Sequence, residues 1–265
     1  MQLVRTLQSA WQMRALLTVM VQRELAARHS GTAGGLAWVY AQPLLTVAAY
    51  YLVFDVVFAM RLGDAAPTKA VGTFLIVGML PWQAFCEALG RGTSSLIDAG
   101  HLLQKNALPP VLMVLRTVLA SAAVYLPLLV LLALAYTPLH HGAPALLSLP
   151  LLLATQFALA FVLAYALAIM AAALRDTVQV VTFALSVGVF LSPILFPVTL
   201  FPEDWRWLLW LNPMTAWVLA YQNVLLQGLW PSWQSCVGMA AWLAGAGAVL
   251  SPLLRRSRDE LVDWL

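Results

Sequence analysis

Six stretches of this chain are each long and apolar enough to cross a bilayer as a helix, and that excludes most ways of folding it. A helix needs about 20 mainly apolar residues to span the hydrocarbon. Such runs fall at 36–58, 71–89, 111–136, 145–174, 178–196 and 235–254. The fourth is longer than the hydrocarbon is thick, so it must tilt or protrude. The chain is 62% hydrophobic and 9% charged, with a mean hydropathy of +0.85, where soluble domains carry about 25% charged residues. One core within 265 residues could not hide that much apolar surface from water. Lipid as the solvent removes the problem, provided the backbone satisfies its own hydrogen bonds in helices. The expected fold is therefore all-α and polytopic. It forms one transmembrane domain over 1–265, with an N-terminal segment 1–35, a six-span bundle 36–254 and a tail 255–265.

The basic residues orient the bundle. With six spans both termini share a side. That side collects Arg5, Arg14, Arg23, Arg28, Arg91, Lys105, Arg116, Arg175, Arg255, Arg256 and Arg258. The other side holds Arg61, Lys69 and Arg206. Eleven against three places both termini in the cytoplasm by the positive-inside rule. The first 35 residues contain no apolar run long enough for a cleavable signal peptide, so the first span is expected to direct insertion. Met13, Leu16, Leu17, Met20 and Val21 fall within an arc of about 140° on a helix. Gln8, Gln12, Gln22 and Arg23 lie opposite, and Glu24 spoils the apolar side. Such a helix lies along the cytoplasmic headgroups, a depth that also suits Trp11.

The segment 195–233 is unusual. Pro193, Pro197 and Pro202 interrupt the apolar run, and Trp205, Trp207, Trp210, Trp217, Trp230 and Trp233 follow. Tryptophan favours the headgroup level. The stretches 205–211 and 214–226 are helical in composition, and Asn212-Pro213 marks a turn between them. The expectation is two short re-entrant helices dipping into the outer leaflet, which requires that they be buried in protein or line a wet cavity. An ordinary outer loop with interfacial aromatics is the plainer alternative.

The chemistry is mostly negative. A phosphate-binding P-loop needs Gly-x-x-x-x-Gly-Lys-Ser/Thr. Lys69 and Lys105 are the only lysines, preceded by Thr68 and Gln104, so there is no P-loop and no cofactor is expected on this chain. Cys86 and Cys236 lack metal-ligand spacing and read as free thiols. His29 and His101 fall at cytoplasmic edges, and His140-His141 in an external turn, with no acidic or thiol partners for a metal. A net charge of +3 suggests no nucleic-acid partner. Two ionisable residues sit within spans, Asp55 and Glu87, and such residues are functional candidates unless they reach an interface. The loop after the second span is polar, with Asp98, His101, Gln104, Lys105 and Asn106 ahead of Pro109-Pro110. A short helix there, stopped by the prolines, would offer a polar knob to a cytoplasmic partner. The first span is crowded with Trp38, Tyr40, Tyr50, Tyr51, Phe54 and Phe58. These could let a glycan slide by stacking on sugar faces, or be ordinary packing and interface residues.

Four groups of residues resemble the permease subunits of ABC-2 type exporters, in the branch that exports O-antigen, capsular polysaccharide or teichoic acid. The first is Arg23-Glu24-Leu25, Arg28, Gly31, Gly35, Leu36, Trp38 and Pro43. The second is Gly78-Met79-Leu80-Pro81-Trp82 with Phe85. The third is Ser192-Pro193-Ile194, Phe196-Pro197, Pro202, Trp205, Leu211-Asn212-Pro213 and Tyr221 to Gly228. The last is Arg255-Arg256-Ser257 through Asp263 to Leu265. The resemblance covers nearly the whole chain. It implies a homodimer in the bacterial inner membrane, bound to two ATP-binding cassette subunits on which ATP and Mg act, and moving a lipid-linked polysaccharide out of the cytoplasmic leaflet. It implies coupling to the ATPase through Asp98, His101, Gln104, Lys105 and Asn106. It implies a channel lined by Trp38, Tyr40, Tyr50, Tyr51, Phe54, Phe58, Trp82 and Phe85. An outer gate would be built from Pro197, Pro202, Trp205, Trp207, Asn212 and Pro213.

The physical task fits that reading. A hydroxylated polymer cannot enter hydrocarbon without losing its hydrogen bonds, so it needs an enclosed polar and aromatic path. Arg23 and Arg28 could attract the carrier's pyrophosphate at the inner headgroups, although positive-inside topology alone would also explain them. An ABC-2 permease for a drug or lipid is the alternative within transport. A membrane-embedded glycosyl- or acyltransferase would need clustered acids or a His-Asp pair at one face, and none is visible. A structural membrane scaffold would not need the gate and coupling features.

Overall fold

The computed structural model describes residues 8, 10–28, 34–35, 37–58, 62, 67–68, 70–106, 108–136, 144–257 and 260–265, without the side chains of 262 and 263. Arg5, His29, Gly31, Leu36, Arg61, Lys69, His140, His141, Arg258 and the Asp263 side chain lie outside the described residues. Every extended element among those described is helical. They are α1 (Arg14–Arg28), α2 (Ala37–Tyr51, continuing as a π-helix over Leu52–Val57), α3 (Val71–Asp98), α4 (Gly100–Lys105) and α5 (Val111–Tyr136). A 3₁₀ turn (Pro144–Ser148) leads into α6 (Leu149–Ala173), then come α7 (Asp176–Gly188) and 3₁₀ segments Val198–Leu200 and Glu203–Leu211. The chain closes with α8 (Thr215–Gln227), α9 (Trp233–Arg256) and α10 (Leu261–Trp264).

Five helical stretches are long and apolar enough to cross a membrane: Ala37–Val57, Val71–Asp98, Val111–Tyr136, Pro144–Ala173 and Trp233–Arg256. The fifth expected span, 178–196, differs. Its helix stops at Gly188 after 13 residues, and the backbone turns through 189–196. The stop has a physical cause. A Cβ at Gly188 would lie 2.7 Å from the Trp82 ring, and the Gly188 carbonyl accepts a hydrogen bond of 2.7 Å from Asn212 Nδ2.

α3 sits at the centre, packed on α5, α6, α2, α7 and α8. It is the most buried of the long helices, whereas α2 and α9 are the least. It also outruns the expected 71–89 by nine residues, because 90–98 continues the helix instead of forming a loop. Gly92 lets α6 approach, since a Cβ there would come within 2.6 Å of Ala164 Cβ. The buried Thr93 and Ser95 hydroxyls donate to the carbonyls of Leu89 and Gly92, at 2.7 and 2.6 Å. Polar residues can thus stay inside a helix when their hydroxyls bond back to it. Its 28 residues measure about 42 Å at 1.5 Å per residue, so the last turns project beyond a hydrocarbon core of about 30 Å.

α4 ends at Lys105, where Asn106 is extended, three residues before the prolines expected to stop it. Pro109 and Pro110 instead open α5, their carbonyls accepting from Leu112 and Met113 N–H. Proline suits a first turn, whose N–H groups have no helical partner. Asp55 has a local explanation as well. Its Oδ1 accepts from Gly72 N–H at 3.3 Å, placing a carboxylate at the positive end of α3.

Candidate functional site

Two polar centres interrupt the apolar bundle, one toward each end of α3. The first joins α1 to the spans. Glu24, which spoils the apolar side of α1 in sequence, turns inward and meets Arg116 at 3.7 Å and Arg28 at 3.8 Å. The Arg28 side chain is only 3% exposed. Its Nη1 reaches Glu87 Oε1 at 3.2 Å, and its Nη2 donates to Thr117 O and Ser121 Oγ, both at 3.2 Å. Arg91 Nε donates to the same Glu87 oxygen from one turn along α3. Burial holds the Arg28 guanidinium below its ordinary range, and Glu87 pulls it back upward. A charge so enclosed needs its partners, because each would otherwise be left desolvated and uncompensated. Beside the cluster lies a cavity of about 330 Å³, lined by Arg28, Gln42, Gln83, Glu87, Arg91 and Tyr125 among others.

The second centre ties α8 to the spans. Gln156, fully buried on α6, donates from Nε2 to Pro81 O at 2.9 Å. Its Oε1 accepts from Tyr221 Oη on α8 at 2.8 Å. One turn away Trp217 Nε1 donates to Thr155 Oγ1 at 3.2 Å, and Gln222 Nε2 donates to Pro193 O at 2.7 Å. Gln156 is the seventh residue after the start of α6, about 10 Å along the helix, and Pro81 lies about 15 Å along α3. α8 therefore packs against α6 and α3 about 10–15 Å from the starts of those helices. Its sides are buried over most of its length, and Gly228 terminates it in the left-handed conformation at φ 66°.

The sequence motifs converge at this second centre. Gly78 abuts the Ile194 backbone, with a Cβ there falling 3.3 Å from Ile194 Cα. Two of the four matching groups thus touch in space. Asn212 and Pro213 form the turn into α8 as expected, with Asn212 Oδ1 accepting from Met214 N–H at 2.9 Å. Asn212 and Pro197 are buried, and Pro202 is exposed. Trp205 and Trp207 are 56% and 57% exposed. Trp217, grouped in sequence with these interfacial tryptophans, is instead fully buried.

The other candidate residues divide. Trp38, Tyr40, Tyr51 and Phe58 are exposed along α2, Trp38 on the side opposite Tyr40 and Tyr51, while Tyr50 and Phe54 are half-buried and stack on each other with centroids 6.2 Å apart. Trp82 and Phe85 do not join them. Both are buried in the core, lining an apolar cavity of about 410 Å³ with Leu163, Asn212 and Trp242. Arg23 is exposed and outside the charged cluster that holds Arg28. Asp98, His101, Gln104, Lys105 and Asn106 are all exposed, while Leu103 anchors α4 in the core. Sequence reasoning missed Gln83 and Gln156. Gln156 carried a usable signal, being the one amide side chain in the apolar run 145–174. Such a group needs a partner wherever no water reaches it.

An all-helical, multi-pass membrane protein with polar centres holding α1 and α8 against central spans is the class this geometry defines. Residues 15–226 match the family described as ABC-2 type transporter, and the chain belongs to that family. It is 31% identical over 268 residues to an O-antigen export system permease protein, RfbA, of Myxococcus xanthus, covering 98% of this chain and 99% of the relative. Two proteins of the same description from Klebsiella pneumoniae are 23% and 25% identical, covering 81% and 80% of this chain and 81% of each relative.

Proposed function

We propose that this chain is the membrane-spanning subunit of an ATP-driven exporter that moves a lipid-linked polysaccharide, of O-antigen or capsular type, across the bacterial inner membrane. The observation that carries the reading is the end-to-end similarity to an O-antigen export permease at 31% identity. ATP hydrolysis belongs on separate cassette subunits, since the sequence holds no P-loop. Two copies of the chain, each acting as one transmembrane unit over 1–265, work with two such ATPases. Six crossings and cytoplasmic termini follow from the charge bias. α7 with the turns to residue 196 then serves as the fifth crossing, which agrees with its exposed apolar Val180, Phe183 and Phe190.

The roles divide by position. The exposed polar residues of α4, with Asp98 and Asn106, receive the ATPase's movement. Arg23 and Arg28 attract the carrier's pyrophosphate. The exposed aromatic residues of α2 border the glycan path between protomers, with Trp82 and Phe85 in the core behind it. Glu203–Leu211 and α8 form a re-entrant outer gate, a reading that the burial of α8 and its bonds to Gln156 and Thr155 support. Export of a drug or lipid is the competing reading, and no observation favours it. Deletion of the gene from its host is expected to abolish the surface polysaccharide and leave it inside the cell, detectable by glycan-specific staining of fractionated cells. Normal surface polysaccharide in the deletion strain would refute the reading.

A further inference from the structure

We propose that the cavity between α2, α3 and α5 binds a phosphate group carried on a lipid, and that Gln83 and Arg91 are ligands to it. Arg28 and Arg91 face this cavity with Glu87, and the ion-pair cluster they belong to joins three guanidinium groups, Arg28, Arg91 and Arg116, to two carboxylates, Glu24 and Glu87, leaving a surplus of one positive charge. The two cations play different parts. Arg28 is immobilised by Glu87, Thr117 and Ser121 and supplies a fixed field. Arg91 is 45% exposed at the rim, held to Glu87 through Nε, which orients the rest of its planar fork. Gln83 supplies the second sign of a missing ligand. Gln83 lines the same cavity, and its Nε2 is sealed from solvent with no hydrogen-bond partner among the described residues, so a turn of the amide toward the cavity would give it one. A buried donor without an acceptor is costly. A surplus cation and an unmet N–H together call for an anionic oxygen. Phosphate meets both, because it accepts charge-assisted hydrogen bonds from an arginine fork and a neutral donor at once.

The placement favours a lipid as the bearer of that phosphate. Gln42 and Thr46 form an exposed edge of the cavity on α2, so it opens sideways from the bundle. Beside this edge on α2 Leu45, three residues after Gln42, is 60% exposed, giving an apolar surface for a lipid tail. Arg91 lies seven residues before the end of α3, about 10 Å along the helix. Bulk phospholipid and a polyprenyl-diphosphate glycan carrier share this chemistry. The assignment rests on the exporter reading only in naming a glycan carrier as one source.

The test is equilibrium binding to the purified full chain in nonionic detergent, with dioctanoyl phosphatidic acid, farnesyl diphosphate and dioctanoylglycerol as probes. Both phosphate-bearing probes are expected to bind and the phosphate-free one not to. Gln83→Leu and Arg91→Gln should each weaken phosphate binding at least tenfold. Arg91→Lys, which keeps the charge, should recover most of the affinity, and Arg256→Gln at the end of α9 should leave it unchanged. Tighter farnesyl diphosphate would identify a polyprenyl carrier as the source, and tighter phosphatidic acid bulk phospholipid; either supports the phosphate site. Wild-type affinity in both Gln83→Leu and Arg91→Gln, or equal binding of dioctanoylglycerol, would overturn it. Those results would leave the exporter reading intact, since surface polysaccharide in the deletion strain tests that separately.

Discussion

Replacing Gln156 by leucine is expected to destabilise the protein by about 2–4 kcal/mol, because it leaves the buried Tyr221 hydroxyl without its acceptor and removes the side-chain bond to Pro81 O. Pro81 O loses its donor and Tyr221 Oη loses its acceptor, in a region where Gln156 and Tyr221 are 0% and 1% exposed. The leucine side chain fills much of the amide's volume, so the loss comes from desolvated polar atoms more than from a cavity. Tyr221→Phe removes only the hydroxyl and leaves Gln156 Nε2 bonded to Pro81, so about 1 kcal/mol is expected. Thermal unfolding in nonionic detergent checks the order. Equal midpoints for Gln156→Leu and wild type would show that this bridge does not hold α8. The bridge connects α8 to α3, the helix that leads on to the exposed α4.

Glu87→Gln is expected to cost about 2 kcal/mol. Breaking a buried ion pair by removing one partner costs about 3–5 kcal/mol, and two features reduce that here. Glu87 is 29% exposed, so solvent screens part of the interaction, and Glu24 stands 3.8 Å from Arg28 as a second counter-charge. The remaining loss reflects a guanidinium that is 3% exposed and faces a neutral amide. A double variant, Glu87→Gln with Arg28→Met, removes the stranded charge and should recover most of the stability. Midpoints that fall by the sum of the two single effects would show that the residues act independently. Arg28 ends α1, the helix read from sequence as lying on the membrane surface, and Glu87 is one of the groups that tie it to the spans.

The long helices were legible because hydropathy reports the solvent a segment needs, and lipid requires about 20 residues in succession. It does not report where a helix stops. Residues 178–196 are mainly apolar, yet α7 ends at Gly188, where Trp82 closes in and Asn212 takes the carbonyl. Residues 90–98 look like a loop, yet they continue α3 because Gly92 allows close packing and the Thr93 and Ser95 hydroxyls bond back to the helix. Both outcomes depend on a neighbouring element that local sequence does not name.

The aromatic residues show the same limit from another side. In a membrane protein the core and the lipid-facing surface are both apolar, so composition cannot separate Trp38, which is exposed, from Trp217, which is fully buried. The turn at Asn212-Pro213 and the two helical segments around it were readable because proline and asparagine act locally. Glu24 and Glu87 were visible as anomalies in apolar surroundings. Their common partner, Arg28, required the fold, being 59 residues from Glu87 in sequence.

The most direct measurement of the central claim is ATP-dependent movement of a lipid-linked glycan in inverted membrane vesicles that contain this chain together with its cassette ATPase. The account predicts that added ATP moves the glycan into the lumen, where an external glycosidase cannot cut it, and that omitting either subunit abolishes the protection. Protection that appears without ATP, or without this chain, would contradict it.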